Sequence, residues 1–246
     1  MIPHLHRCQK LLILYVMVQL EMQDVTKRFG SHTVLKDLSL TSDAPVLGIG
    51  GANGSGKSTL LRCMAGLLKA SGSIRWTIGG EVFKTDELTG RIGYAAPYVE
   101  LYDGLTVTEN LTFIRSLQRT PATTVSDSEK QGSEKKASEK HKQGSPEITT
   151  TGFLPTLLER FQAASLADKH YGDLSTGQRQ RAKLAAACLS DPYVLFLDEP
   201  GANFDEAGRQ LIKDLVDEFR QRERMVVLAS NQQHELDLAD RILRLE

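Results

Sequence analysis

Apolar and polar residues alternate near the start of the chain, over residues 18–25 and again over 34–40, the period of two that marks half-buried strands. The apolar run 46–49 predicts a third strand. Residues 73–78, a Gly79-Gly80 turn and 81–83 read as a hairpin. Helical spacing follows over 108–117 and again over 153–167. A further helix including 184–189 stops at Asp191-Pro192. The continuous apolar runs 193–197 and 225–229 suit strands buried on both faces, with a helix over 211–220 between them. Strands alternating with helices predict an α/β fold with a parallel sheet and helices packed against it.

The pattern fails in two places. From about residue 121 to 152 the chain is Ser, Thr, Glu, Lys and Gln with almost no large apolar side chain, and SEKQGSEKKASEKHKQGS cannot bury enough surface to offset its ordering entropy. A disordered surface insertion is expected there, and the logarithmic growth of closure entropy makes it tolerable. Before the first strand, a single apolar block, 11–18, follows Arg7 and Lys10. It is too short to span a bilayer, and no small-residue cleavage site follows it. The expectation is an extension over 1–17 outside the fold, or translation starting at Met17, ahead of one domain over 18–246.

The 246 residues carry 30 basic and 31 acidic side chains, a net charge of -1, which provides no overall basic field for nucleic acid. Of three cysteines, Cys63 and Cys188 lie in apolar helical runs and no C-x-x-C occurs; core packing in a reducing cytosol is expected rather than a metal site.

Chemistry enters at GGANGSGKSTLLR, residues 50–62. Gly51, Gly56, Lys57 and Ser58 fit G-x-x-x-x-G-K-[ST], with a strand leading in and a helix leading out. Glycines let successive backbone N–H groups turn inward around an anion, and the helix N-terminus adds its positive dipole end. Gly51, Asn53, Gly54, Ser55, Gly56, Lys57, Ser58 and Thr59 are therefore candidate nucleotide contacts. Lys57 would reach the outer phosphates and Ser58 would ligate Mg²⁺. Farther on, YVLFLDEP ends a buried strand on Asp198 and Glu199, the place where open α/β sheets bind ligands. Asp198 would hold the Mg²⁺ shell, and Glu199 would act as the base toward the attacking water. Alone, such an Asp-Glu pair could equally be a helix cap or a solvated turn.

Between these lies DLSTGQRQR, residues 173–181, followed by a helix. With this segment the chain resembles the ATP-binding subunit of ABC transporters, of the compact single-cassette type, whose signature normally reads LSGGQ; Thr176 is the one departure. The resemblance covers about 20–246 apart from the insertion. It implies a P-loop NTPase core with a parallel sheet, an antiparallel β subdomain and an α-helical signature subdomain. It also implies that Ser175, Gly177 and Gln178 serve the ATP of a facing subunit, that Phe29 stacks on adenine unless it is a core aromatic, and that Asp205 communicates across the dimer.

Two positions depart from the family. Pro97 stands where glutamine follows an Ile-Gly-Tyr strand, and proline has no amide to offer a metal; Tyr98 is the nearest polar substitute. Asn231 stands where a histidine contacts the γ-phosphate, so that contact cannot become cationic. His234, one turn on, reads as solvated surface. The implied function is a Mg²⁺-dependent ATPase subunit, slow because of Pro97 and Asn231, that powers a separate transmembrane permease from the cytoplasmic face as a homodimer or with a related subunit. A soluble ABC-type ATPase without transport, as in iron–sulfur assembly, and a regulatory subunit with weak hydrolysis remain alternatives. Transported substrate and direction are set by the permease.

Overall fold

A computed structural model describes residues 17–118, 150–202 and 204–246. The expected N-terminal extension up to residue 16 and the insertion as far as residue 149 lie outside the described residues. Among the described residues the strands are β1 (Val18–Phe29), β2 (His32–Ser42), β3 (Val46–Gly50), β4 (Ser71–Ile78), β5 (Glu81–Lys84), β6 (Ile92–Ala95), β7 (Val194–Asp198), β8 (Met225–Ser230) and β9 (Arg241–Arg244). The helices are α1 (Lys57–Met64), α2 (Val107–Gln118), α3 (Thr150–Arg160), α4 (Thr176–Ala187), α5 (Glu206–Gln221) and the single turn α6 (Gln233–Leu236).

Two sheets form. One is antiparallel, in the order β2-β1-β4-β5; the other is parallel, in the order β6-β7-β8-β3-β9. Every residue of β3, β7 and β8 is buried, as their unbroken apolar runs require. Their side chains alternate between two cores. Leu195, Leu197, Val226 and Leu228 pack with α2 to α5, whereas Val194, Phe196, Met225 and Val227 pack with α1 and the antiparallel sheet. Trp76 ties that second layer together: its indole Nε1 donates to Met64 O at 3.0 Å, and its ring meets Phe196 edge-on at 5.8 Å.

Several expected bounds move. The hairpin strands β1 and β2 run on to Phe29 and His32, because the Gly30 turn closes their ladder. The helix expected over 153–167 begins at Thr150 and ends at Arg160; a separate 3-10 turn covers Ala164–Leu166. The helix read from 184–189 is the last part of α4, which starts at Thr176 and ends at Ala187. The short strand β9 completes the sheet edge beside β3 and was not anticipated. Cys63 and Cys188 are buried free thiols, and burial pushes Cys188 up to about 12. No helix among the described residues is long and apolar enough to cross a membrane.

Candidate functional site

Strands β7, β8 and β3 lie side by side, so their C-terminal ends deliver Asp198, Ser230 and Gly50 to one edge of the sheet. The loops leaving them carry Glu199, Asn231 and the glycine-rich segment. At that segment Gly51 has φ 157°, and a Cβ there would lie 2.5 Å from Ser55 Oγ and 2.7 Å from Leu245 O. Gly56 takes φ 97° as the residue before α1. Only glycine accommodates both the conformations and the contacts. Asn53 and Gly54 are exposed at the tip, Ser55 and Ser58 are half-buried, and Thr59 is packed beneath.

Lys57 opens α1 with its side chain folded over the loop. Its Nζ donates to Gly51 O and Ala52 O at 3.0 Å each, and lies 3.7 Å from Glu199 Oε1. Asn231 Nδ2 donates to Asn53 Oδ1 at 2.8 Å. The residues singled out from three distant parts of the sequence thus converge.

Asp198 is 1% exposed, and burial raises its carboxyl above the usual range, offset in part by the Ser58 and Tyr98 hydroxyls and by Lys57 and Arg62. Yet both its oxygens are buried without a hydrogen bond of ordinary geometry. A buried carboxylate whose oxygens lack ordinary hydrogen bonds costs free energy; beside the Ser58 hydroxyl it fits a hard cation whose other ligands are phosphate oxygens and water, the phosphate in turn offsetting the charge of Lys57. Among the described residues no group of three or more His, Cys, Asp or Glu forms a self-sufficient metal cage. Asp198 and Ser58 would hold Mg²⁺ only together with a phosphate. Glu199 sits in the left-handed region at φ 47°, with its N–H donating to Ala229 O at 2.8 Å. Burial raises its carboxyl; Lys57 opposes that, and Glu235 and Asp198 reinforce it. A carboxylate with raised proton affinity is suited to accept a proton.

Signature residues open α4. Ser175 caps α4: Gln178 N–H donates to Ser175 Oγ at 3.4 Å, while Ser175 N–H donates to Gln178 Oε1 at 3.0 Å. Gly177 lies in that first turn. With Pro97, Glu199 and Ala202, this helix end lines an open groove of about 370 Å³. Asp205 caps α5 by accepting from Gly208 N–H at 2.8 Å, and lies 3.8 Å from Arg181 Nη2. Phe29 is 47% exposed beneath the Lys27 ammonium, which rules out the core reading. His234 is exposed, as expected.

Two groups escaped the sequence reading. Glu235 is 3% exposed and accepts from Gly201 N–H at 2.8 Å, steadying the loop after Glu199. Lys183, on α4, is nearly buried; its Nζ donates to Pro97 O at 3.0 Å and to Glu100 Oε1 at 2.8 Å, and Tyr171 Oη donates to Glu100 Oε2 at 2.5 Å. No local signal marks either residue, because each partner lies more than thirty positions away in the chain.

Comparison with known proteins agrees with this geometry. The family model described as ABC transporter matches residues 35–202. The sulfate/thiosulfate import ATP-binding protein CysA of Methylococcus capsulatus is 30% identical over 231 residues, covering 93% of this chain and 60% of the relative. The corresponding Escherichia coli K12 protein is 30% identical, covering 92% and 57%. The probable CysA of Chlorella vulgaris is 29% identical, covering 92% and 86%. The chain therefore spans about 60% of the bacterial relatives' length. A dimeric structure of MJ0796, a bacterial ABC transporter cassette, superposes with TM-score 0.70 at 22% identity, covering 92% of this chain and 94% of that one, and shares the fold. With two thirds of its length inside the family model and the loop, carboxylates and signature brought to one sheet edge and its flank, this chain belongs to the ABC transporter family.

Proposed function

We propose that the chain is an ATP-binding and ATP-hydrolysing subunit that drives a separate membrane permease, working as a pair with a second copy or a related subunit at the cytoplasmic face. The observation that carries this reading is the approach of Lys57, at the start of α1, to within 3.7 Å of Glu199, next to Asp198, which ends β7 buried without an ordinary hydrogen bond. In this reading the glycine loop from Gly51 to Thr59 and the N-terminus of α1 cradle the phosphates, Lys57 turns from its carbonyls to them, and Phe29 offers its exposed face to adenine. Mg²⁺, held by Ser58 and Asp198, would neutralise phosphate charge. Glu199 orients and deprotonates the attacking water, a role worth ~10²–10⁴ in rate.

Ser175 and Thr176 line the groove that Glu199 also borders, and in this reading Ser175, Gly177 and Gln178 close over the nucleotide of the opposing copy. Asp205, at the start of α5, would then report across the interface. The printed names of the CysA relatives, import ATP-binding proteins, support the pairing with a permease. Pro97 and Asn231 favour a second reading, a regulatory subunit with little turnover. Phosphate release from Mg·ATP by the purified chain, alone and with its permease, tests both. Turnover that rises with the permease supports the transport reading, and none in either condition supports the regulatory one.

A further inference from the structure

Tyr98 follows the proline that lacks a metal-directed amide, and its ring reaches back to the sheet edge. Tyr94 stands on β6 opposite Phe196 of β7, two residues short of Asp198, and its hydroxyl is bonded to that of Tyr98. Tyr98 is 50% exposed and is held on its inner side. The Arg62 guanidinium lies 5.3 Å from its centroid, the Tyr94 ring lies 6.4 Å away, and Lys183 anchors the preceding carbonyl of Pro97 at 3.0 Å. Each phenol carries one O–H. The pair consumes one proton in its mutual bond and leaves one to donate, and beside it stands a buried carboxylate with neither oxygen satisfied.

We propose that Tyr98 is a positioning residue for the divalent cation: with Tyr94 donating to it, its hydroxyl donates to Asp198 and fixes the orientation in which that carboxylate meets the metal. The inference rests on the nucleotide-site reading above. It assigns to a hydroxyl the task for which Pro97 has no side chain.

The test uses the full chain carrying Glu199→Gln, so that nothing turns over, with Mn²⁺ binding followed by electron paramagnetic resonance at saturating ATP. Metal-free ATP binding is measured separately in EDTA. Adding Tyr98→Phe is expected to weaken Mn²⁺ binding about tenfold or more, the range for loss of a residue that orients a metal ligand, and to leave metal-free ATP affinity within about twofold. Tyr94→Phe should act in the same direction and less. Unchanged Mn²⁺ affinity in the Tyr98→Phe protein would overturn this inference alone. A parallel loss of metal-free ATP affinity would also overturn it, since the ring would then be shaping the loop. A parent protein that binds ATP under neither condition would bring down both this inference and the nucleotide reading.

Discussion

Asn231 Nδ2 donates to Asn53 Oδ1 at 2.8 Å, tying the end of β8 to the tip of the glycine loop with a neutral hydrogen bond. A protonated imidazole in that place would make a charge-assisted bond to a phosphate, stronger by about 1.5 kcal/mol. Asn231→His is therefore expected to raise steady-state turnover about tenfold. It should also introduce a new pH-dependent step at ~6.5. Phosphate-release assays across pH check both effects.

Lys57 is held by two loop carbonyls at 3.0 Å each and faces Glu199 at 3.7 Å. If Lys57 exchanges its two carbonyl contacts for phosphate oxygens, at ~1.5 kcal/mol each, Lys57→Ala should weaken ATP binding by about 100-fold. Equilibrium binding with Mg·ATP measures the change.

Gly93 packs β6 against the end of α4. A Cβ there would lie 2.1 Å from Ala187 O, a backbone atom that cannot swing aside. Gly93→Ala should cost ~1–3 kcal/mol and lower the melting temperature by roughly 2–10 °C.

The parts of this account that were legible in sequence are those written in local pattern. The β3 run, Gly51, Gly56 and Lys57 announce a phosphate loop because strand, turn and helix are contiguous, and the buried β7 run places Asp198 and Glu199 at a strand end. Lys183 on Pro97 O and Glu235 on Gly201 were invisible because they arise from strand order and helix docking. The Ser175–Gln178 cap does follow a local S-x-x-Q pattern, and Asp205 is a preferred residue for capping a helix such as α5. The start of α4 is nonetheless hard to place from apolar periodicity. Its first two turns are polar on every side and lack the apolar stripe that marks a helix.

Asp191 links the loop after α4 to the loop before β8: Arg224 Nη1 and Arg222 Nη2 lie 2.7 Å and 2.8 Å from its Oδ1. Burial pushes its carboxyl up, but the hydrogen bonds and charges of Arg224 and Arg222 outweigh it and hold the group below the usual range. A depressed folded-state value contributes stability above the unfolded pKa of ~3.9, and that contribution is lost as pH falls through the folded value. Asp191 is half-exposed and Arg222 partly so, and about 1 kcal/mol is expected. Asp191→Asn should lower the melting temperature at pH 7 by roughly 2–4 °C, and the difference should close below about pH 4.

The central claim is that this chain binds a nucleotide at Lys57 and Asp198 and closes it with the signature end of another copy. Light scattering on a sizing column, with Glu199→Gln protein saturated with Mg·ATP and the eluted peak assayed for nucleotide, tests it most directly. A dimer carrying unhydrolysed ATP is expected, reverting to monomer when Mg·ATP is withdrawn. A monomeric peak, or one without nucleotide, would contradict it.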